Sequence, residues 1–234
     1  MLTFQVQGTG ETLSIQPRRV LMAGYTGRDQ AAVQRHIDEL REHGVPAPTR
    51  VPILFPATVD RLTMADEIEV LGDQTSGEAE FVLIYHQGRV YVAAGSDQTD
   101  RELEKHSITF AKQACPNVLS RDVWPYAEVR EGWDGIVLRA LTRPRQREDA
   151  STERRYQQGT LAEMLRPEAL EALVQERVGG EMDGTILYSG TIPIADGQGF
   201  AFGGAFTAEL EDPATGRTLR CAYRTREIPL TDDG

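Results

Sequence analysis

Gly77-Glu78-Ala79-Glu80-Phe81-Val82-Leu83-Ile84-Tyr85-His86-Gln87-Gly88-Arg89-Val90-Tyr91-Val92-Ala93-Ala94-Gly95-Ser96-Asp97 is the stretch that decides the fold. Two β-favouring apolar runs flank Gln87-Gly88, where glycine accepts the positive φ of a tight hairpin turn at no steric cost. Closing the chain there sets His86 opposite Arg89, Glu80 opposite Gly95 and Glu78 opposite Asp97. Side chains alternate between faces, so Glu78 and Glu80 share one face and Asp97 joins them from the neighbouring strand. Directly opposed side chains have Cβ atoms only ~5 Å apart. Three carboxylates at that spacing repel one another, and a bound cation is the simplest relief. An all-oxygen donor set favours a hard ion, Mg²⁺ or Mn²⁺ with Ca²⁺ behind, over Zn²⁺. Gly95, opposite Glu80, is expected to leave room for the ion and its waters.

A Glu-x-Glu pair at a strand start is more often a solvated edge. Here the opposite face (Phe81, Leu83, Tyr85, Val90, Val92, Ala94) is apolar. The carboxylate face also carries Val82, Ile84 and Ala93, which is unlike a plain solvent face.

The rest of the chain is consistent with one sizeable core. It has 234 residues, 40% of them hydrophobic, and a formal net charge of -11. No apolar run is long enough to span a bilayer, and the start lacks a signal-peptide pattern. An acidic chain without a basic stripe is a poor binder of nucleic acid or anionic membranes. Cys115 and Cys221 lie far apart and read as reduced thiols of a cytoplasmic protein.

Outward from the hairpin, residues 1 to 16 predict an N-terminal hairpin around Gly8-Thr9-Gly10, and Arg19–Gly24 a buried strand. Asp29 caps a helix with an apolar stripe at Val33, Ile37 and Leu40, ended by Gly44 and Pro46. His36 and Glu39 share a face of that helix, as a base and an orienting carboxylate would, although a surface charge pair is the commoner meaning of this spacing. Residues 46 to 56, with four prolines, predict an extended connector anchored by Ile53-Leu54-Phe55. Residues 61 to 71 predict a strand pair, 98 to 104 a short helix, and 124 to 129 and 135 to 141 two strands. The charged segment 142 to 158 predicts an exposed loop. Thr160 and Glu163 form a capping box, and Pro167 opens a helix ended by Gly179-Gly180. Strands are expected at 185 to 193, 200 to 210 and 218 to 225. Lys112, between small and apolar residues, reads by itself as a side chain snorkelling to water.

In this order the pieces resemble the fumarylacetoacetate hydrolase superfamily, as an outlying branch, over about residues 18 to 228. The matching pieces are Gly24-Tyr25, the His36-to-Glu39 helix, Pro52-Ile53-Leu54-Phe55-Pro56, Glu78-Ala79-Glu80, Gly95-Ser96-Asp97 through Arg101, Ala111-Lys112 through Cys115-Pro116, and Met182 to Pro193. Departures are Ser96 in place of a usual Asn, a long segment between Tyr25 and His36, a short interval between Glu80 and Asp97, and Ile192 inserted in the Gly-Thr-Pro turn.

The resemblance implies an α+β, mainly β fold: a mixed β-sandwich roll with a few short helices. It implies a single domain over 1–234, with residues 1–17 as a hairpin appendage. It places a metal (Mg²⁺ or Mn²⁺, Ca²⁺ as the third candidate) on Glu78, Glu80 and Asp97, catalytic roles on His36, Glu39 and Lys112, and substrate contacts on Tyr25, Arg101 and Thr191. The implied activity is hydrolysis of a C–C bond in a 1,3-dioxo carboxylate by a cytoplasmic homodimer. The alternatives are an oxo-acid decarboxylase or keto–enol isomerase at the same site, and a non-catalytic oxo-acid-binding protein.

Overall fold

The computed structural model describes residues 1–42, 47–143, 145, 153–195 and 198–231, excepting the side chains of residues 36, 39, 40 and 42. In chain order the strands are β1 (Leu2–Val6), β2 (Thr12–Ile15), β3 (Arg19–Gly24), β4 (Ile53–Ala57), β5 (Leu62–Thr63), β6 (Glu67–Leu71), β7 (Thr75–His86), β8 (Arg89–Asp100), β9 (Asn117–Leu119) and β10 (Asp122–Pro125). They continue with β11 (Val137–Arg143), β12 (Arg154–Thr160), β13 (Thr185–Tyr188), β14 (Ala205–Asp212) and β15 (Arg217–Ile228). The helices are α1 (Gln30–Glu42), α2 (Arg101–Glu104), α3 (Ile108–Ala114), α4 (Tyr126–Val129) and α5 (Pro167–Arg177).

The hairpin β7–β8 forms with the register that its sequence predicts: His86 pairs with Arg89, Glu80 with Gly95 and Glu78 with Asp97. Gln87 and Gly88 both adopt positive φ, 50° and 72°, as a two-residue turn matched to strand twist requires. These two long strands lie in the middle of a mixed sheet ordered β2-β1-β10-β8-β7-β13-β3-β4, with β9 and β5 continuing from the far end of β8. A second sheet, β12-β11-β14-β15-β6, covers one face of the first.

Period-two alternation along β7 then feeds two cores. Ala79, Phe81, Leu83 and Tyr85 point between the sheets, against Leu138, Ala140, Leu210 and Leu219. Val82 and Ile84 point the other way, into a core that the first sheet builds by curling over itself: Phe4, Val6, Leu13, Ile15, Met22, Phe55, Leu119 and Tyr188. The carboxylate face is therefore interior. The fold is α+β and mainly β, a two-sheet roll with short helices. None of the described helices is long and apolar enough to cross a membrane.

Local signals hold where they are strong. Asp29 Oδ1 accepts from the N–H groups of Ala31 (2.9 Å) and Ala32 (3.2 Å) at the start of α1. The Thr160–Glu163 capping box forms, around a 3₁₀ turn, and Pro167 occupies the first turn of α5. Gly44 and Pro46, read as the end of α1, lie outside the described residues.

Four expectations are corrected. Ile53–Ala57 is an edge strand paired with β3 and not merely a connector. Residues 61 to 71 do not pair with each other: β5 joins β9 in the first sheet and β6 joins β15 in the second. Of the expected strand 124 to 129 only Trp124 and Pro125 are strand, as the end of β10, because Pro125 ends the ladder and α4 begins at Tyr126. Most of the expected loop 142 to 158 that is described is strand. Its charged residues face solvent while Tyr156 and Gln157 are buried, a half-exposed pattern that looks like a loop by composition alone.

Trp133 is fully buried between the sheets, its ring edge-on to Phe81 (5.0 Å) and Tyr126 (5.1 Å). Trp133→Ala should lower unfolding free energy by about 3–5 kcal/mol in denaturant titration. A loss under about 1 kcal/mol would contradict its place in the core.

Candidate metal centre

Glu78, Glu80 and Asp97 meet at the inner face of the β7–β8 pair, each offering an oxygen within 4.8 Å of the others. Glu80 and Asp97 are buried and Glu78 is partly exposed, which makes Glu78 the solvent-facing side of the cluster. Lys112 reaches in from α3, whose N-terminus is capped by Ser107. Its ammonium donates to Glu78 Oε2 at 3.2 Å and closely to Asp97 Oδ2. The snorkelling expectation for Lys112 is thus overturned: its ammonium is buried because two carboxylates hold it there.

Arg101 opens α2, behind an Asp100 side chain that accepts from the N–H groups of Glu102 and Leu103. Its guanidinium pairs with Glu78 Oε1 (3.1 Å) and Glu104 Oε2 (2.9 Å), and donates to Ser76 Oγ (2.7 Å). Phe200 covers it at 4.5 Å from the ring centroid. Arg101 therefore fixes Glu78 from the side away from Lys112.

Glu80 is treated differently. Its Oε2 accepts from the backbone N–H of Gly190 (2.8 Å), and it forms no ion pair among the described residues. Gly190 has φ 83°, and a Cβ there would meet Thr26 Oγ1 at 2.7 Å and Ala23 O at 2.9 Å. Only glycine brings this amide to the carboxylate. The next residue, Thr191, donates to Ala79 O (2.7 Å) and accepts from Gln157 Nε2 (2.8 Å); Gln157 Oε1 in turn accepts from Ala79 N–H (3.0 Å). The turn after β13 is thereby tied to β7.

The charges set the titration. Burial raises the Glu78 carboxyl, but Lys112 and Arg101 outweigh burial and hold it down at about 2. Burial raises Glu80 well above the usual carboxylate range, and the neighbouring Asp97 adds to this. Burial lifts Asp97 to about 6, with Lys112 pulling it down and Glu78 pushing it up. Lys112 stays protonated, because the carboxylates around it outweigh its own burial. Tyr25, at φ 55° just past β3, has its phenol pushed up to about 12 by burial and then by Glu104.

The donor set fits a hard divalent ion. It consists of carboxylate oxygens at close range, and Asp97 Oδ1 is buried with no hydrogen-bond partner among the described residues. Four carboxylates (Glu78, Glu80, Asp97, Glu104) face two cations (Lys112, Arg101), leaving formally the charge that one divalent ion neutralises. The space expected above Gly95 is not there. A Cβ at Gly95 would meet Val82 Cγ2 at 2.5 Å and Tyr188 Cε1 at 3.1 Å, so this glycine serves packing inside the roll.

Of the residues read from sequence, the structure brings together Glu78, Glu80, Asp97, Lys112 and Arg101. Tyr25 is within electrostatic reach of Glu78 and Lys112, and Thr191 sits in the turn that bonds Glu80. His36 and Glu39 lie on α1, but their side chains are outside the described residues. Sequence reasoning missed Glu104, Ser76, Gln157, the Gly190 amide and Asn117. The i,i+3 spacing of Arg101 and Glu104 was a usable signal. Gln157 had none, buried as it is in a charged segment.

The two-sheet roll has the fold of solved structures of the fumarylacetoacetate hydrolase superfamily. A family model described as "Protein of unknown function (DUF2848)" matches residues 23–223, and the chain belongs to that family. Among solved structures, it is similar to 2-keto-3-deoxy-D-arabinonate dehydratase complexed with magnesium and 2,5-dioxopentanoate (16% identity, TM-score 0.59, covering 92% of this chain and 74% of that one). It is also similar to a Yersinia pestis CO92 protein assigned to the fumarylacetoacetate hydrolase family (15%, TM-score 0.60, 97% and 100%). A third is 5-carboxymethyl-2-hydroxymuconate delta-isomerase from Mycobacterium smegmatis (14%, TM-score 0.56, 95% and 84%). A search of curated proteins gave no match.

Ligating carboxylates must be deprotonated, so an ion has to displace the protons that burial holds on Glu80 and Asp97. Apparent Mn²⁺ affinity should therefore climb as pH rises through about 6, by up to ~tenfold per pH unit for each proton released. Calorimetric titrations from pH 5 to 8 check this; a flat profile would contradict the protonation pattern.

Proposed function

We propose that this protein is a divalent-metal-dependent enzyme acting on an oxo acid, and that it cleaves a C–C bond in a 1,3-dioxo carboxylate. The observation that carries the proposal is the buried Glu78–Glu80–Asp97 cluster, all oxygen and short of positive charge, in a fold whose solved members include a magnesium-bound dehydratase. A divalent ion held there supplies Lewis-acid polarisation of the substrate's oxygens and stabilises negative charge that develops on them.

The chain's own groups have separable tasks. Glu78, Glu80 and Asp97 hold the ion. Lys112 keeps Glu78 ionised, opposes the protonation of Asp97 and presents a positive charge at the substrate's edge. Arg101 orients Glu78. The Gly190 amide and Thr191 set Glu80 and border the substrate. Tyr25 keeps its phenolic proton and is a hydrogen-bond donor toward the substrate. His36, oriented by Glu39, is assigned the activation of water for attack on the distal carbonyl. The same reading takes a small oxo acid as the partner of the site and a cytoplasmic homodimer as the working form.

A second reading keeps the ion and drops the activated water: isomerisation or decarboxylation of an enolisable oxo acid. It is favoured by the neighbour named as an isomerase. Fold likeness is a weak guide to chemistry, so product analysis separates the two. Two acids indicate hydrolysis; an isomer, or CO₂ with one acid, indicates the other reading.

With Mn²⁺ at a hundred times its dissociation constant, wild type should gain ~2.7 kcal/mol of stability over the EDTA-treated protein. Glu80→Ala should lose this gain and any turnover of acylpyruvates together. Retained turnover in that variant would end the assignment. Metal binding without turnover on a broad oxo-acid panel would favour a binding protein.

A further inference from the structure

Asn117 is the first residue of β9, and it stands directly across from Asp97 on the ladder to β8. Glu78, Asp97 and Asn117 thus form one row over three adjacent strands, on the same face. Register places the Cβ atoms of Asp97 and Asn117 ~5 Å apart. Asn117 is fully buried, and neither its Oδ1 nor its Nδ2 has a hydrogen-bond partner among the described residues. Asp97 Oδ1 is likewise buried and unpartnered, while Asp97 Oδ2 is engaged by Lys112.

A buried amide with no partner costs stability. Backbone geometry does not explain it. Asn117 is a regular ladder residue, aligned with Asp97 on one side and Leu62 on the other, and its neighbours Val118 and Leu119 are buried hydrophobics. Leucine has nearly the same shape and would fit such a strand without an orphaned polar group. Residues that break a local rule in this way concentrate at functional sites.

We propose that Asn117 is a positioning residue for the metal centre: the Asn117–Asp97 hydrogen bond is not made in this structure, and when an ion engages Asp97 the adjacent Asn117 Nδ2–H turns to donate to Asp97 Oδ1 and aims that carboxylate at the ion. A carboxylate oxygen has lone pairs enough to bind an ion and accept one hydrogen bond. Partners of this kind orient metal ligands, and losing one typically weakens metal binding by roughly 10–100-fold. The inference rests on the carboxylate-site reading above.

Its test is Mn²⁺ affinity by calorimetry, with the thermal midpoint in EDTA measured alongside, for wild type, Asn117→Leu and Asn117→Ala. The expected result for Asn117→Leu is roughly 10–100-fold weaker Mn²⁺ binding with a metal-free midpoint equal to or above wild type. A merely structural amide would do the reverse, lowering the midpoint and leaving affinity unchanged, and that result would overturn the proposal. Asn117→Ala, which leaves a cavity, should lower the midpoint yet show the same weakened affinity; wild-type affinity in it would overturn the proposal even if the leucine variant fails to fold. Wild type that binds no Mn²⁺ would overturn the carboxylate-site reading itself, and this one with it, whereas failure of Asn117 alone leaves wild type binding.

Discussion

Everything at this site follows from three carboxylates placed on an interior sheet face. Removing a carboxylate from water costs several kcal/mol unless a charge partner compensates. Lys112 compensates Glu78 and Asp97 together, and Arg101 compensates Glu78 and Glu104. Among the described residues Glu80 has only a backbone amide, and its raised proton affinity is the electrostatic result. Such an arrangement is a poor way to build a stable core and a good way to hold an ion. The cluster is built because helices α2 and α3, the turn after β13 and the β7–β8 hairpin converge on it from separate parts of the sequence.

The two cores serve this placement. The inter-sheet core anchors one face of β7 and β8, through Phe81 and Val92 packed against the second sheet. The core within the roll grips the same strands on the other side, at Val82, Ile84, Tyr91 and Ala93. A one-residue slip would exchange the faces and move the carboxylates into the inter-sheet core. Register is thus locked by burial on both faces. Gly95 belongs to this lock, since Val82 and Tyr188 occupy the volume that a side chain there would need.

The hairpin, its register and the three carboxylates were legible in the sequence because alternation with a tight turn is a short-range signal. Asp29, Thr160 with Glu163, and Pro167 were legible for the same reason. The motif order supplied Lys112, whose isolated context pointed to solvent. What stayed hidden depends on long-range pairing. Nothing local tells Glu67–Leu71 to leave one sheet for the other. The charged residues of Arg154–Thr160 mask a buried Gln157, and the role of Gly190 appears only once its amide is seen against Glu80. Asn117 carries no local signal of its own, and only β9 places it beside Asp97.

The most direct measurement of the central claim is a crystal structure of the protein grown with Mn²⁺, with anomalous differences recorded to locate the ion. One anomalous peak bonded to oxygens of Glu78, Glu80 and Asp97 at about 2.0–2.4 Å, with the Lys112 ammonium displaced from at least one of them, is the predicted result. Density showing Lys112 still bridging Glu78 and Asp97, with no anomalous peak among the three carboxylates at saturating Mn²⁺, would contradict it.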